Sequence, residues 1–291
     1  MMVAPPPAPE PIRFDTLLAQ SWTLFRDNWI VALPPVVGFG LILVAVIAYV
    51  AAAVVTALAH GAFAHGGIEH GANGFVAALV LGYLGLIVLI IVVSLWVNAA
   101  MFGMADAVWA RGTTTFADGF AAFRTRSGAL FVAGIGLVGV ALAALFLALP
   151  TLFLSFLAFP LVTMYVLPSV VGGGRGGFAA VGESFRLVRD FFGVSAISCL
   201  VLAGIQYGVS MLSSFAIVPL EFSMIPTTPD GPPHMPPIWL LGTSGMFFLL
   251  GMLAAFAYGG YHTIAVVGLY RSLRAQPRPD PGRPPVRTFS G

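Results

Sequence analysis

The chain contains no lysine, and it is poor in charge of either sign. All 13 basic residues are arginines, 11 residues are acidic, and charged residues make up only 8% of the sequence. A typical soluble domain carries about 25% charged residues, whereas 59% of this chain is hydrophobic. Too few charged side chains are present to cover a surface that faces water. The composition therefore indicates an integral membrane protein.

Residues that usually carry chemistry or bind metals are also scarce. The single cysteine, Cys199, allows no intramolecular disulfide and is interpreted as a small apolar helix residue. His60, His65 and His70 recur at intervals of five, with Glu69 beside them. That spacing places the histidines on no common helical face, so we expect no metal site there. No cofactor site and no catalytic cluster are expected either.

Six apolar runs are long enough to cross lipid as helices, because a spanning helix needs about 20 residues. They cover approximately residues 30–58, 75–108, 129–149, 151–171, 192–220 and 238–270. The sequence therefore predicts an all-α integral membrane protein with six transmembrane helices.

The arginines are segregated along the chain. They stand before the first run, between the second and third, between the fourth and fifth, and after the sixth: Arg13, Arg26, Arg111, Arg124, Arg126, Arg175, Arg186, Arg189, Arg271, Arg274, Arg278, Arg283 and Arg287. Since positively charged segments stay in the cytoplasm, both termini are expected there. Arginine without lysine, beside abundant alanine, glycine and proline, is typical of a GC-rich bacterial genome. The predicted location is the bacterial inner membrane.

Polar side chains within the apolar runs are few, and the candidates are His262, Asn98 and Gln206. Because placing such groups in lipid is costly, they are candidate functional residues by default. His262 has two interpretations. As a neutral imidazole it would bridge two helices; alternatively, together with Asn98 and Gln206, it would line a path between helical hairpins.

A short motif recurs before the pairs of runs. Residues 21–29 (SWTLFRDNW) and 184–192 (SFRLVRDFF) share serine, leucine, arginine and aspartate, and 119–126 (GFAAFRTR) is a weaker copy. Aromatic residues at helical spacing in each copy predict amphipathic helices that lie in the membrane interface. Ordinary packing segments that lead into the next span are the alternative. The candidate contacts to anionic lipid headgroups are Arg26, Arg124, Arg126, Arg186 and Arg189.

The recurring motif also predicts how the chain is organised. Each copy precedes two spans, an even number, so successive units enter the membrane in the same orientation and form parallel repeats. We expect repeats at about 12–112, 113–175 and 176–275, which together form one membrane domain over 12–275. The proline-rich tails, 1–11 and 276–291, are expected to be disordered.

Two glycine patterns carry structural expectations. Gly204 and Gly208 in the fifth span, like Ala99 and Gly103 in the second, have the spacing of helix-packing faces. The run 172–177 (GGGRGG) lacks the lysine and hydroxyl residues of a phosphate-binding loop. We interpret it as a flexible hinge before the third amphipathic segment.

Residues 167–171 (LPSVV) and 176–193 (GGFAAVGESFRLVRDFFG) carry a family resemblance. They resemble a broad bacterial group of six-span proteins related to the membrane domain of glycerophosphoryl diester phosphodiesterases. The resemblance implies the membrane module without the hydrolase, and it assigns no catalytic residue. The chain departs from the pattern at residues 172–173, where relatives often carry an acidic residue.

These features predict a non-enzymatic inner-membrane protein that acts with lipids or envelope proteins. The expected partners are anionic lipid headgroups at the cytoplasmic face and a second membrane protein; no nucleic acid is expected. The alternative is a small-molecule or ion transporter or channel with a polar path at the membrane midplane. A cavity beside His262 would favour that alternative. A membrane-embedded enzyme ranks last, because it needs a cluster of reactive side chains.

Overall fold

The fold is known from a computed structural model, which describes residues 13–59, 72–151, 154–224 and 237–276. Within these ranges the chain is helical and contains no strand. Six helical stretches are long and apolar enough to cross a membrane: Trp29–Leu58, Val76–Arg111, Phe116–Ala148, Leu154–Val171, Phe192–Phe215 and Ile238–Ala275. Each overlaps one of the six predicted runs, although the third begins thirteen residues earlier than predicted. The protein is an all-helical, multi-pass membrane protein.

The helices follow one another with short connections. They are α1 (Phe14–Asp27), α2 (Leu33–Ala59), α3 (Ala72–Arg111), α4 (Phe116–Ala148), α5 (Leu154–Thr163), α6 (Val166–Val171), α7 (Gly177–Asp190), α8 (Phe192–Met224) and α9 (Ile238–Ala275), with a 3₁₀ turn at Trp29–Ala32. The fourth span is therefore two helices, α5 and α6. The predicted histidine group at 60–70 and nearly all of both predicted disordered tails lie outside the described residues.

Two of the three predicted amphipathic segments are separate helices. α1 and α7 are each 14 residues long, and each ends at a residue of similar backbone geometry: Asn28 (φ −131°, ψ 44°) and Phe191 (φ −126°, ψ 43°). The Asn28 amide group donates hydrogen bonds to the carbonyls of Leu24 (3.1 Å) and Gly112 (3.0 Å), which fixes the end of α1 against the α3–α4 connection.

The middle amphipathic segment differs from this expectation. It is the first part of α4, which continues without a break from Phe116 to Ala148. A capping box starts this helix, in which the Thr115 side chain accepts from the Asp118 backbone and the Asp118 carboxylate accepts from the Thr115 N–H at 2.8 Å. No capping residue like Asn28 stands at its amphipathic end, so the helical hydrogen bonds run directly into the apolar span.

The buried core lies toward the arginine-rich end of the bundle. There α3, α6 and α9 contact one another, while α2 packs on α3, α4 on α5, and α8 on α9. The largest fully buried side chains come mostly from these inner helices: Met104, Val108, Tyr165, Val166, Val170, Ile264, Val266, Leu269, Tyr270 and Leu273. The opposite halves of the spans expose mainly large apolar side chains. That surface suits contact with lipid acyl chains.

In the glycine run at 172–177, Gly172, Gly173 and Gly177 are closely packed, which contradicts the hinge interpretation. A Cβ added at Gly172 would lie 2.7 Å from the Asp106 carboxylate, and one at Gly177 would lie 2.6 Å from the backbone nitrogen of Ala133. Real Cβ atoms do not approach other atoms so closely. The glycines let the connection from α6 to α7 pass directly against α3 and α4.

The two predicted glycine packing faces have opposite outcomes. Gly103 lies against Ala122 of α4, and Ala99 is fully buried, which confirms the face in the second span. At Gly204 and Gly208, an added Cβ would meet nothing within 4 Å among the described residues. The fifth span therefore does not use these glycines for packing within the described part of the chain.

Candidate functional site

A cavity of about 590 Å³ lies between the spans, and α3, α4, α5, α6, α8 and α9 all contribute to its wall. Its lining residues are Asn98, Met101, Phe102, Leu137, Phe159, Pro160, Thr163, Met164, Leu167, Cys199, Leu202, Ala203, Gln206, Tyr258, Gly259, His262 and Thr263. Most of these side chains are apolar, and none carries a carboxylate, a guanidinium or an ammonium group. The size is typical of small-molecule sites, which measure roughly 300–1,000 Å³.

The three polar residues predicted within the spans all line this cavity. His262 precedes Arg271 by nine residues on α9, a rise of about 14 Å along the helix. Asn98 precedes Arg111 on α3 by a rise of about 20 Å, and Gln206 follows Phe192 on α8 by about 21 Å. Since the hydrocarbon layer is about 30 Å thick, the three side chains lie well inside it.

Each of these side chains has hydrogen-bonding capacity that the protein leaves unused. Asn98 donates only to its own helix, at the Ser94 carbonyl (2.8 Å), and Gln206 donates weakly to Ser210 (3.4 Å). Among the described residues, neither amide oxygen accepts a hydrogen bond. Gln206 is exposed and Asn98 is only half-buried, so both amide oxygens can accept a hydrogen bond from a ligand.

His262 packs against its own helix. Its ring centroid lies 5.6 Å from that of Tyr258, whose hydroxyl donates to the Leu202 carbonyl of α8 at 2.6 Å. Within the described ranges, the imidazole makes no hydrogen bond to any residue. Tyr258, and not His262, joins α9 to α8 by a polar contact. The interpretation of His262 as a bridge between helices is therefore not supported.

The interrupted fourth span forms one wall of the cavity. α5 ends at Thr163 and α6 begins at Val166, and Pro160 lies inside α5. The buried hydroxyl of Ser184 in α7 bridges the interruption: it accepts from the Tyr165 N–H at 3.1 Å and donates to the Val162 carbonyl at 2.6 Å. A helix can be interrupted inside lipid only where other groups hydrogen-bond to the backbone N–H and C=O groups that the interruption leaves unpaired. The Ser184 hydroxyl does this for Tyr165 and Val162.

An ion pair joins α3 to α9 at the arginine-rich end of the bundle. Arg271 of α9 reaches the Asp106 carboxylate of α3 at 2.7 Å and also donates to the Asp106 carbonyl at 3.1 Å. Arg111, which is nearer to Asp106 along the chain, pairs instead with Asp118 at 2.7 Å. Helices α3 and α9 are thus joined one helical turn from Phe102, which lines the cavity.

Glu183 is the centre of a second polar cluster, and sequence reasoning missed it. The carboxylate is buried, pairs with Arg175 at 2.7 Å, and accepts from the hydroxyls of Ser169 and Tyr270, each at 3.1 Å. Arg274 lies 4.0 Å away. The sequence did contain a sign that Glu183 is unusual: it directly precedes the serine of the recurring motif, and it is the only acidic residue between positions 119 and 189.

The predicted headgroup arginines fall into three groups. Arg26 and Arg189 are exposed, and each pairs with the next residue along the chain, Asp27 or Asp190, at 3.2 Å. Arg124 and Arg186 are exposed and have no ion pair among the described residues. Arg126 is half-buried beside Gly174. Arg124 and Arg186 therefore present the least compensated positive charge.

Comparisons with protein-family models, curated proteins and solved structures find no match to this chain. The class of protein is defined by its fold and site: a multi-pass helical membrane protein with a mostly apolar cavity between its spans. Among the described residues, no group of three or more histidines, cysteines or carboxylates could hold a metal ion.

Proposed function

We propose that this protein is a non-enzymatic, lipid-associated protein of the bacterial inner membrane, with both termini in the cytoplasm. The segregation of all 13 arginines into segments on one side of the spans supports the orientation. Descent from the six-span bacterial group named above would be consistent with that layout. The proposal rests chiefly on the exposed faces of the amphipathic helices.

Those faces combine aromatic and cationic side chains. α1 and its connection expose Trp22 and Trp29, and α7 and the start of α8 expose Phe178, Phe185 and Phe192. Aromatic rings are favoured where lipid headgroups meet acyl chains, and nearby arginines attract anionic headgroups. Leu17 and Phe25 of α1 are buried against the bundle. Such helices have one face for protein and one for the membrane interface.

A parallel repeat of an amphipathic segment and a helical hairpin is part of the same proposal. α1 and α7 share their length, their terminal backbone geometry and an arginine–aspartate pair at 3.2 Å. The inner contacts among α3, α6 and α9 suit three hairpins around a common axis. The repeats would place an amphipathic segment at three positions around the bundle.

The test replaces Arg124 and Arg186, the two exposed arginines that have no ion pair in the part of the chain that the structure describes. Each arginine near an anionic surface contributes about 1 kcal/mol, so Arg124→Gln with Arg186→Gln should reduce retention of anionic lipid several-fold. Co-purified lipids are quantified by mass spectrometry after extraction in mild detergent. The control, Arg26→Gln with Asp27→Asn, removes one ion pair without changing net charge. Unchanged anionic lipid in the Arg124/Arg186 variant would contradict the proposal.

Small-molecule transport is the second candidate, and the cavity is the observation that favours it. The polar side chains of three spans meet in one cavity near the membrane midplane, beside an interrupted helix. Interrupted helices at the midplane are common at transporter binding sites. If transport is coupled to protons through His262, His262→Ala should abolish proton flux into liposomes with the protein still folded. Loss of stability without a flux defect would indicate a packing role.

A further inference from the structure

The cavity has a closed end and an open end, and the difference restricts what can enter it. Toward the arginine-rich end it is lined by the buried Phe102 and Thr263, and the Asp106–Arg271 ion pair lies one helical turn beyond Phe102 on α3. Pro160, Ala203 and Gln206 line the cavity farther from that end and are exposed. The cavity is therefore accessible from the half of the bilayer opposite the arginines.

The chemistry of the wall is equally selective. Its apolar majority suits a hydrocarbon chain, while the amide oxygens of Asn98 and Gln206 and the imidazole of His262 are free to hydrogen-bond. No charged side chain lines the cavity. A ligand with a formal charge would lose its hydration without gaining an opposite charge, which is strongly unfavourable in a low-dielectric site.

We propose that this cavity binds a single-chain amphiphile with an uncharged, hydroxyl-bearing head, taken from the leaflet opposite the arginine-rich end. The head hydrogen-bonds with His262, Asn98 and Gln206, and the chain lies along the apolar wall formed by α5 and α8. Two full acyl chains exceed what about 590 Å³ can hold alongside a head. The proposal rests on the membrane placement proposed above and is independent of the interfacial arginines.

A photoreactive monoacylglycerol tests the inference on the full-length protein in phosphatidylcholine vesicles. Crosslinks should map to cavity residues of α5 and α8, and unlabelled monoolein should compete. Oleate at a pH where it is ionised should compete much less, because the wall offers it no cation. Equal competition by ionised oleate would overturn the assignment of an uncharged head.

Two variants and a control connect the labelling to this cavity. Ala203→Phe places a ring at the open end and should reduce crosslinking at least fivefold. Leu200→Phe adds the same ring on α8 at an exposed position outside the cavity, so its labelling should match wild type. His262→Ala removes one hydrogen-bonding group and should weaken competition by monoolein about three- to tenfold, with partial recovery in His262→Gln.

The outcomes separate this inference from the proposed function. Wild-type labelling in Ala203→Phe would show that the amphiphile binds elsewhere and would refute the cavity assignment. Loss of anionic lipid in the Arg124→Gln/Arg186→Gln variant with normal cavity labelling would support both proposals independently. Normal anionic lipid in that variant with specific cavity labelling would refute only the interfacial proposal.

Discussion

Replacing Ser184 should destabilise this protein far more than replacing the matching serine of the first motif copy. Ser184→Ala removes the hydrogen-bond partner of two backbone groups at the interrupted fourth span, the Tyr165 N–H (3.1 Å) and the Val162 carbonyl (2.6 Å). A buried polar group left unpaired costs about 1–3 kcal/mol. The expected loss in the free energy of unfolding is therefore about 2–6 kcal/mol.

Ser21 is the matched control, because it is equally buried and occupies the same place in the motif. Its hydroxyl donates only to the Leu17 carbonyl one turn earlier in α1, at 2.7 Å. Such a bond adds little to a carbonyl that the helix already satisfies. Ser21→Ala should cost less than about 1 kcal/mol.

The measurement is the midpoint of thermal unfolding in detergent micelles, followed by intrinsic fluorescence. A loss of about 2 kcal/mol or more should lower the Tm of Ser184→Ala by roughly 4 °C or more, while Ser21→Ala stays close to wild type. Equal Tm values in the two variants would refute the claim that the Ser184 hydroxyl holds the interruption together.

Two further experiments test the packing at the arginine-rich end. Gly173→Ala should lower the free energy of unfolding by about 1–3 kcal/mol through overpacking, because the added Cβ would press on the Tyr270 hydroxyl. Gly204→Ala is the control: its added Cβ has open space around it, so the Tm should stay the same or rise. A double-mutant cycle of Asp106→Asn and Arg271→Gln should give a coupling energy of about 1 kcal/mol, since the pair is only partly buried. A coupling of zero would show that the pair does not hold α3 to α9.

Much of the membrane architecture could be read from composition and hydropathy. Six apolar runs were predicted and six spans occur, five of them at nearly the predicted bounds; the third begins at Phe116 and not near 129. The choice of Asn98, Gln206 and His262 as candidates also followed from the sequence, because polar residues are conspicuous in an apolar run. That they meet at one cavity was only one of two alternatives, since they lie on three helices far apart in the chain.

The wrong expectations share a cause. The glycine run at 172–177 looked flexible by composition, yet its missing side chains allow close contact with Asp106 and α4. The spacing of Gly204 and Gly208 matched a packing face, but no helix among the described residues lies against it. Local patterns say which contacts are sterically possible. They do not say which helix will be the neighbour.

The sequence by itself determined the class of protein and the number and bounds of its spans, because transfer of apolar side chains into lipid depends on composition alone. Only the tertiary structure decided that Ser184 would hydrogen-bond to the backbone of an interrupted helix, and that two arginines and two hydroxyls would surround Glu183. It also decided that three isolated polar residues would share a cavity. Those outcomes depend on distances between helices, which are set by packing over the whole bundle.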